Sequence, residues 1–570
     1  MKTQSKKNEL LELSVAEAKK WLSYGLKKKE EKEVNNLLIG RNEDHLIESF
    51  HKKLEFGTGG MRGLIGIGSN RINSYTISLA TQGLCNYLKK TCKNARSAVI
   101  AYDSRRFSKE FGNQTAKIFS ANNIKSYIFS DLRPTPELSF AVRELNCSCG
   151  IVITASHNPK EYNGYKVYWN DGGQITSPHD KNIISEVEKI TDFNQINFNF
   201  NKDLIVEIDS EIDKKYIEKI QSLSLYDNSK SKLKIIFSSL HGTGITQSPH
   251  ALKAFGFKNI ISVKSQELPD PEFSTVHSPN PEDIDALDLG IKKLIKEKGD
   301  ILIATDPDSD RVGVALNHNE KIKILNGNQL ATLIVYYSLI NLKLNKINKT
   351  PYVAKTIVTT RLIDLIARDF GVKSYSTLTG FKYIAELIKN KKNEKFIAGG
   401  EESYGYLVDE FVRDKDAIIS CAFICEIANW AKENNKSLND IMDEIYDTYG
   451  LFIEKLYTIK MEGIKGTNKI NEIMERFRTK PPQTILGDKV KEVIDYNRKV
   501  KNPVINVKSN VIQLISENNY SMTLRPSGTE PKIKFYFSLS DYNSDENKKK
   551  LLNLIDKEVV KIKKNYEYSK

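Results

Sequence analysis

Three aspartates at alternate positions, Asp306, Asp308 and Asp310, follow the apolar run Ile301–Ala304 in the segment Asp306-Pro307-Asp308-Ser309-Asp310-Arg311. Alternate residues leaving a strand can aim three carboxylates at one point, which suits a hard divalent cation liganded by oxygen. A calcium-binding EF-hand loop is the obvious imitation. It fails because its sixth position is Arg311 rather than Gly and its twelfth is Asn317 rather than Glu. Three protein carboxylates leave room for a phosphate oxygen on the metal, as phosphoryl transfer requires. The plainer alternative is a loop of helix-capping aspartates.

Ser156 follows a second apolar run, Ile151–Thr154, in the turn Thr154-Ala155-Ser156-His157-Asn158-Pro159. Alone, a serine in such a turn is more often a helix cap than a nucleophile. A cation nearby favours the nucleophile, since it stabilises a phosphoester on the hydroxyl. A third segment, Arg525-Pro526-Ser527-Gly528-Thr529, packs a guanidinium, two hydroxyls and a glycine amide into five residues, a set suited to phosphate oxygens but also to a plain hairpin turn. The Gly-rich stretch Glu55–Gly63 ending in Met61-Arg62-Gly63, the segment Thr377–Lys382 and the run Arg413–Asp416 say little singly.

The basic residues sharpen the picture. The 570-residue chain carries 86 Lys and Arg against 72 Asp and Glu, a formal net charge of +14, which first suggests a polyanionic partner. Only 16 of those residues are Arg, however, and the many Lys read as a solvated surface. Six of the Arg (Arg62, Arg105, Arg106, Arg311, Arg413, Arg525) lie within or beside the segments above. Arginine is suited to bidentate phosphate recognition, so the implied partner is a small phosphorylated molecule rather than a nucleic acid.

These segments need elements to carry them. Apolar runs at Ala98–Tyr102, Tyr127–Ser130, Ile151–Thr154, Leu233–Phe237, Ile260–Val263, Ile301–Ala304, Tyr352–Thr356 and Phe396–Ala398 alternate with helix-length stretches, the pattern of βα units. Five of the runs end in a polar or Gly-rich signature, and open α/β sheets bind ligands outside the carboxyl ends of their strands. After about residue 460 a strand pair, Val511–Ser516 and Tyr520–Leu524, and a helix opening at Ser544 mark a change of character. The fold class is therefore α/β, with three α/β domains of mixed, mainly parallel sheets and a C-terminal α+β domain. The domains are placed at 51–215, 216–328, 329–460 and 461–570. They follow an N-terminal helical extension over 1–50, in which Ser14 and Glu17 are expected to form a capping box. Six cysteines without a C-x-x-C pair and the lack of an apolar leader point to a reduced, cytoplasmic setting with no membrane segment.

Taken together and in order, Thr154–Pro159, Asp306–Arg311, Gly400-Glu401-Glu402-Ser403 and Arg525–Thr529 resemble the four signatures of the α-D-phosphohexomutase superfamily, most closely its phosphoglucomutase branch. The resemblance spans roughly residues 50 to 540. It implies a heart-shaped, four-domain protein around a central cleft, with Ser156 as the phosphoserine and Asp306, Asp308, Asp310 and a phosphoserine oxygen as Mg²⁺ ligands. Glu401 and Ser403 would hold sugar hydroxyls, and Arg525, Ser527, Gly528 and Thr529 the non-reacting phosphate. Arg62, Arg105, Arg311, Thr379, Gly380 and Lys382 would join the cleft, with His157 and Lys415 as acid/base groups. The implied reaction interconverts α-D-glucose 1-phosphate and glucose 6-phosphate through glucose 1,6-bisphosphate, with mannose phosphates as further substrates. Phosphopentomutase and phosphomannomutase are the neighbouring alternatives. The implied partner is a small-molecule sugar phosphate, with no specific nucleic acid, in a monomer or weak dimer. Two readings from other classes compete. A haloacid-dehalogenase-type phosphatase would use Asp306 as nucleophile but leaves Ser156 and Arg525 unexplained, and a basic nucleic-acid binder finds no Arg-aromatic interleaving to support it.

Overall fold

The computed structural model describes residues 2–567 apart from Arg41, Thr58, 94–95, 319–320, 343–347, Glu462, Lys501, Pro503, 528–531 and 542–544. The chain packs as two units, Met1–Ile324 with Gly405–Asn429, and Leu325–Tyr404 with Trp430–Lys570.

In the first unit a six-stranded sheet runs in the order Gly60–Leu64, Tyr162–Trp169, Cys149–Ile153, Ser97–Tyr102, Lys125–Phe129, Ile205–Ile208. Its central strands Cys149–Ile153 and Ser97–Tyr102 pair in parallel and are buried almost throughout, as expected where helices cover both faces. A second sheet sets Ile260–Ser262, Ile235–Ser238 and Ile301–Thr305 in parallel. Two further strands run back antiparallel. Tyr162–Trp169 pairs with Cys149–Ile153, and Val312–His318 pairs with Ile301–Thr305. The Ser156 and Asp306–Asp310 segments are therefore hairpin loops at the carboxyl ends of central strands. They are tied at both ends to the sheet rather than leading into helices.

The N-terminal extension forms helices Lys2–Leu22, Lys28–Ile39 and Glu43–Phe50 around a core of Ala18, Trp21, Val34, Leu46 and Phe50. The Trp21 ring meets Phe50 at 5.6 Å and Phe193 at 6.0 Å, edge-on geometries each worth about 0.5–1.5 kcal/mol beyond area burial. The capping box expected at Ser14 does not form. The first helix already runs through that position, and the Ser14 hydroxyl donates to the Leu10 carbonyl one turn back, the bond a mid-helix serine makes.

In the second unit, Lys373–Thr377, Thr350–Thr356 and Glu394–Glu401 lie side by side in parallel. A separate six-stranded sheet is antiparallel at every pairing. Its first strand, Leu451–Lys460, pairs along its whole length with Lys532–Asp541, so this sheet begins ten residues ahead of the boundary expected at 461. Helices Gly463–Thr479 and Asp545–Ile562 cover it through Ile473, Phe477, Leu551 and Ile555. Ser544, where the last helix was expected to open, lies outside the described residues. Among the described residues no helix is long and apolar enough to cross a membrane. All six cysteines are free, and all but Cys92 are buried.

Candidate active site

The serine loop is closed around a buried guanidinium. Arg105 Nη1 donates to the carbonyls of Pro159 at 2.8 Å and Tyr162 at 3.1 Å, and Nη2 to those of Ser156 at 2.5 Å and Asn158. Its Nε pairs with Asp103 Oδ2 at 3.2 Å, with both side chains fully buried, and the ring of Phe273 lies 5.0 Å from the guanidinium carbon. Ser156 adopts a left-handed backbone, φ +54°, that disfavours any residue with a Cβ by about 1–2 kcal/mol and persists only where surrounding bonds fix it. The Arg105 bonds and the Ser156 amide, which donates to Thr154 Oγ1 at 2.8 Å, do this. Gly164 is required opposite, since a Cβ there would lie 2.5 Å from the Thr154 carbonyl oxygen. Arg105 thus stands beneath the loop as a positioning residue. Arg105→Ala leaves Asp103 buried without its counter-ion and is expected to cost about 3–5 kcal/mol in a urea-unfolding measurement. An unchanged midpoint would contradict this arrangement.

The second hairpin loop supplies the carboxylates. Asp306, Asp308 and Asp310 are buried, with ligating oxygens all within 4.8 Å of one another. Ser156 Oγ donates to Asp306 Oδ2 at 2.9 Å, while Asp306 Oδ1 accepts the amides of Asp310 and Arg311 at 3.0 Å each. Asp308 Oδ2 accepts Thr135 Oγ1 at 2.9 Å, and the Thr135 amide donates to the Asp308 carbonyl at 2.9 Å. Of the other oxygens, Asp308 Oδ1 and Asp310 Oδ1 are buried without a hydrogen-bond partner, Arg311 Nε lying 3.7 Å from the latter. Orphaned anionic oxygens at this depth suit a hard cation, so the donor set fits Mg²⁺. The His241-Gly242-Thr243-Gly244 segment braces the loop from behind. Thr243 donates its amide to Pro307 O at 2.8 Å and its hydroxyl meets that of Ser309 at 2.9 Å. A Cβ on Gly242 would lie 2.4 Å from Pro307 Cα.

Two lysines stand against the carboxylates. Lys166 Nζ is 2.7 Å from Asp308 Oδ2 and 3.4 Å from Asp310 Oδ2. Lys415 Nζ is 3.1 Å from Asp310 Oδ2 and 3.0 Å from Asp414 Oδ1, and Asp414 in turn accepts the Tyr168 hydroxyl at 2.6 Å. Burial works against both charges of the Lys166–Asp310 contact. For Lys166 the carboxylates of Asp308 and Asp310 more than offset it, so the ammonium stays protonated. For Asp310 the charges of Lys415, Lys166 and Arg311 outweigh it and hold the carboxyl well below the usual range. His157 Nδ1 lies 3.4 Å from Ser156 Oγ, Arg62 Nη1 donates to Asn158 Oδ1 at 3.0 Å, and Arg311 pairs with Glu282.

In the second unit, the Gly380 amide donates to Glu401 Oε1 at 2.9 Å, joining the Thr379-Gly380 turn to the Gly400–Ser403 loop. Thr379 is buried, Ser403 is half-buried, and Lys382 Nζ lies 5.2 Å from the Tyr383 ring centroid. Glu402 Oε2 accepts the hydroxyls of Thr356 and Thr359 at 3.2 Å each. Burial, then the charge of Glu401, push its carboxyl up to about 7, with Lys534 and Arg525 opposing. Arg525 is the penultimate residue of the strand Ser521–Pro526, and the Ser527 amide donates to Lys532 O at 2.8 Å. Gly528 and Thr529 lie outside the described residues.

The first unit therefore gathers Ser156, His157, the three aspartates, Lys415, Arg62 and Arg311, and the second gathers Thr379, Gly380 and Glu401. Arg105, Arg106 and Arg413 engage backbone carbonyls or Glu272, because the guanidinium fork that suits phosphate also suits clustered carbonyls. Sequence reasoning missed Lys166, Thr135 and Asp103. Lys166 had a readable signal, a single lysine inside the apolar run Tyr165–Trp169.

Residues 53–194, 214–319 and 326–449 match the models of phosphoglucomutase/phosphomannomutase α/β/α domains I, II and III. The chain is 38% identical over 521 residues to the phosphoglucomutases of Staphylococcus aureus strains RF122 / ET3-1 and USA300, covering 89% of this chain and 93% of each relative. Two solved structures share its fold. The phosphoglucomutase parafusin from Paramecium, in its open form, has a TM-score of 0.70 at 20% identity over 91% of this chain and 96% of its own. A phosphoglucomutase/phosphomannomutase family protein from Burkholderia thailandensis scores 0.65 at 17% identity over 90% and 98%. On these matches the chain belongs to the phosphoglucomutase/phosphomannomutase family of the α-D-phosphohexomutase superfamily.

Proposed function

We propose that this chain is a phosphoglucomutase, interconverting α-D-glucose 1-phosphate and glucose 6-phosphate through a phosphoserine at Ser156. One observation carries the reading: the Ser156 hydroxyl lies 2.9 Å from Asp306 in a buried trio of carboxylates, two of whose oxygens have no hydrogen-bond partner. The 38% identity to phosphoglucomutases supports it.

In the working form Ser156 Oγ carries a phosphoryl group. The free hydroxyl of a hexose monophosphate attacks its phosphorus, the P–Oγ bond breaks, and the hydroxyl proton passes to a basic group, for which His157 and Lys415 are the candidates. The resulting glucose 1,6-bisphosphate turns end for end. Ser156 Oγ then attacks its original phosphate, and the sugar oxygen that leaves regains a proton. Asp306, Asp308 and Asp310 would hold Mg²⁺, which when bound neutralises charge on the transferring group. Lys166 adds a fixed positive charge beside Asp308, and Arg105 keeps Ser156 aimed. Arg62 and Arg311 would contact substrate in the first unit. Glu401 and Ser403 would hold sugar hydroxyls, with Thr379, Gly380 and Lys382 as further substrate-binding residues, and Arg525, Ser527, Gly528 and Thr529 would hold the phosphate that is not reacting.

The test is a panel of sugar 1-phosphates. Glucose 1-phosphate is expected to give the highest kcat/KM, mannose 1-phosphate less, and glucosamine and ribose 1-phosphates at least about tenfold less, since unmatched hydroxyls leave polar groups of the site unpaired. A higher kcat/KM for ribose 1-phosphate would make the protein a phosphopentomutase.

A further inference from the structure

One fully buried acid has no part in this chemistry. Glu137 stands in the first turn of the helix Thr135–Glu144, its Oε1 accepting from Gln247 Nε2 at 3.3 Å and its Oε2 without a hydrogen-bond partner. Arg133 offsets its shift only in part, because the guanidinium is engaged by both oxygens of Asp213 at 2.9 Å and by Asp209 at 3.5 Å. Asp416, the other acid facing the cluster, accepts the Tyr216 hydroxyl at 2.8 Å and caps the helix Ala417–Glu433. Burial, then the side-chain contact with Asp213 and its charge, push the Glu137 carboxyl well above its ordinary range, which favours the protonated form.

The placement of its two helices is what makes this acid informative. Thr135, first residue of the Glu137 helix, holds Asp308 by amide and hydroxyl. Thr243, just before the Gln247 helix Gly244–Ala254, holds Pro307 and Ser309. The Glu137–Gln247 bond is a crossbar between the two helices whose N-terminal ends hold the carboxylate loop.

We propose that Glu137 is a positioning residue for the cation site, acting through Gln247 and Thr135 to set the orientation of Asp308. This rests on the reading of Asp306, Asp308 and Asp310 as that site. Outer-shell groups of this kind commonly change metal affinity by about 10–100-fold when removed.

The test measures Mg²⁺ affinity by calorimetry on the full-length, unphosphorylated protein, with circular dichroism to confirm the fold. Glu137→Gln, which keeps the shape and a neutral head group, is expected to bind Mg²⁺ within about twofold of wild type. Glu137→Leu and Gln247→Leu should each bind about tenfold more weakly, with KM for glucose 1-phosphate changed less than about twofold. If Glu137→Leu does not fold, Gln247→Leu carries the comparison. Folded Leu variants with wild-type affinity overturn the proposal, as does a Glu137→Gln variant as weak as Glu137→Leu. A wild type that binds Mg²⁺ no better than Asp308→Asn overturns the cation site itself, and the crossbar with it.

Discussion

Ser156→Ala is expected to lower the interconversion of glucose 1-phosphate and glucose 6-phosphate by at least about 10⁴-fold while leaving the protein folded. The loss is large because, in the proposed reaction, the hydroxyl forms and breaks a covalent bond in every turnover. On His157 or Lys415 the phosphoryl group would form an acid-labile phosphoramidate rather than a phosphoester, and Asp306 has its Oδ1 taken by two backbone amides. The fold survives because the loop is set by Arg105 and Thr154 acting on backbone atoms. A coupled assay reads the rate, and labelling with glucose 1,6-bisphosphate reads the intermediate. Wild type should retain label through acid, and the variant should take up none. Acid-labile label on wild type would place the phosphoryl group elsewhere than on Ser156, and label released by hydroxylamine would place it on a carboxylate and revive the aspartyl-phosphatase reading.

Asp308→Asn should reduce turnover by about 10³-fold or more and abolish the stoichiometric uptake of Mg²⁺. The substitution is isosteric, so Thr135 Oγ1 still finds an oxygen at the Oδ2 position and the loop keeps its shape. The amide then presents N–H groups where Oδ1 stood, and a donor there repels a cation. Lys166 loses its nearer carboxylate but keeps Asp310 at 3.4 Å. Thermal unfolding with and without Mg²⁺ separates the effects: wild type should be stabilised by the ion, and the variant should not. A variant with wild-type turnover would remove Asp308 from the reaction.

How much of this was legible in the sequence depended on contiguity. Strands such as Ile301–Thr305 announced themselves as short apolar runs, and Ser156 and the three aspartates could be singled out because each motif carries its chemistry within six residues. Tyr162–Trp169 and Val312–His318 gave no such signal as partners, since antiparallel return to the same sheet is a property of pairing. Lys166 stood out within its apolar run but its partner did not, because Asp308 lies 142 residues further along the chain, on the loop of the other sheet. Arg105 could be picked out by type but not by use, because nothing in Asp103-Ser104-Arg105 says that the fork will meet the carbonyls of residues 156 to 162. Ser14 misled because a capping box and a mid-helix serine with a glutamate one turn on look identical in sequence.

The left-handed backbone at Ser156 also limits which amino acid could carry the phosphate. Threonine offers the same hydroxyl, and its phosphoester is chemically equivalent. At φ +54°, however, a β-branched side chain crowds its own backbone far more than serine does. The loop that would aim the proposed nucleophile thereby disfavours threonine at this position, by shape rather than by reactivity.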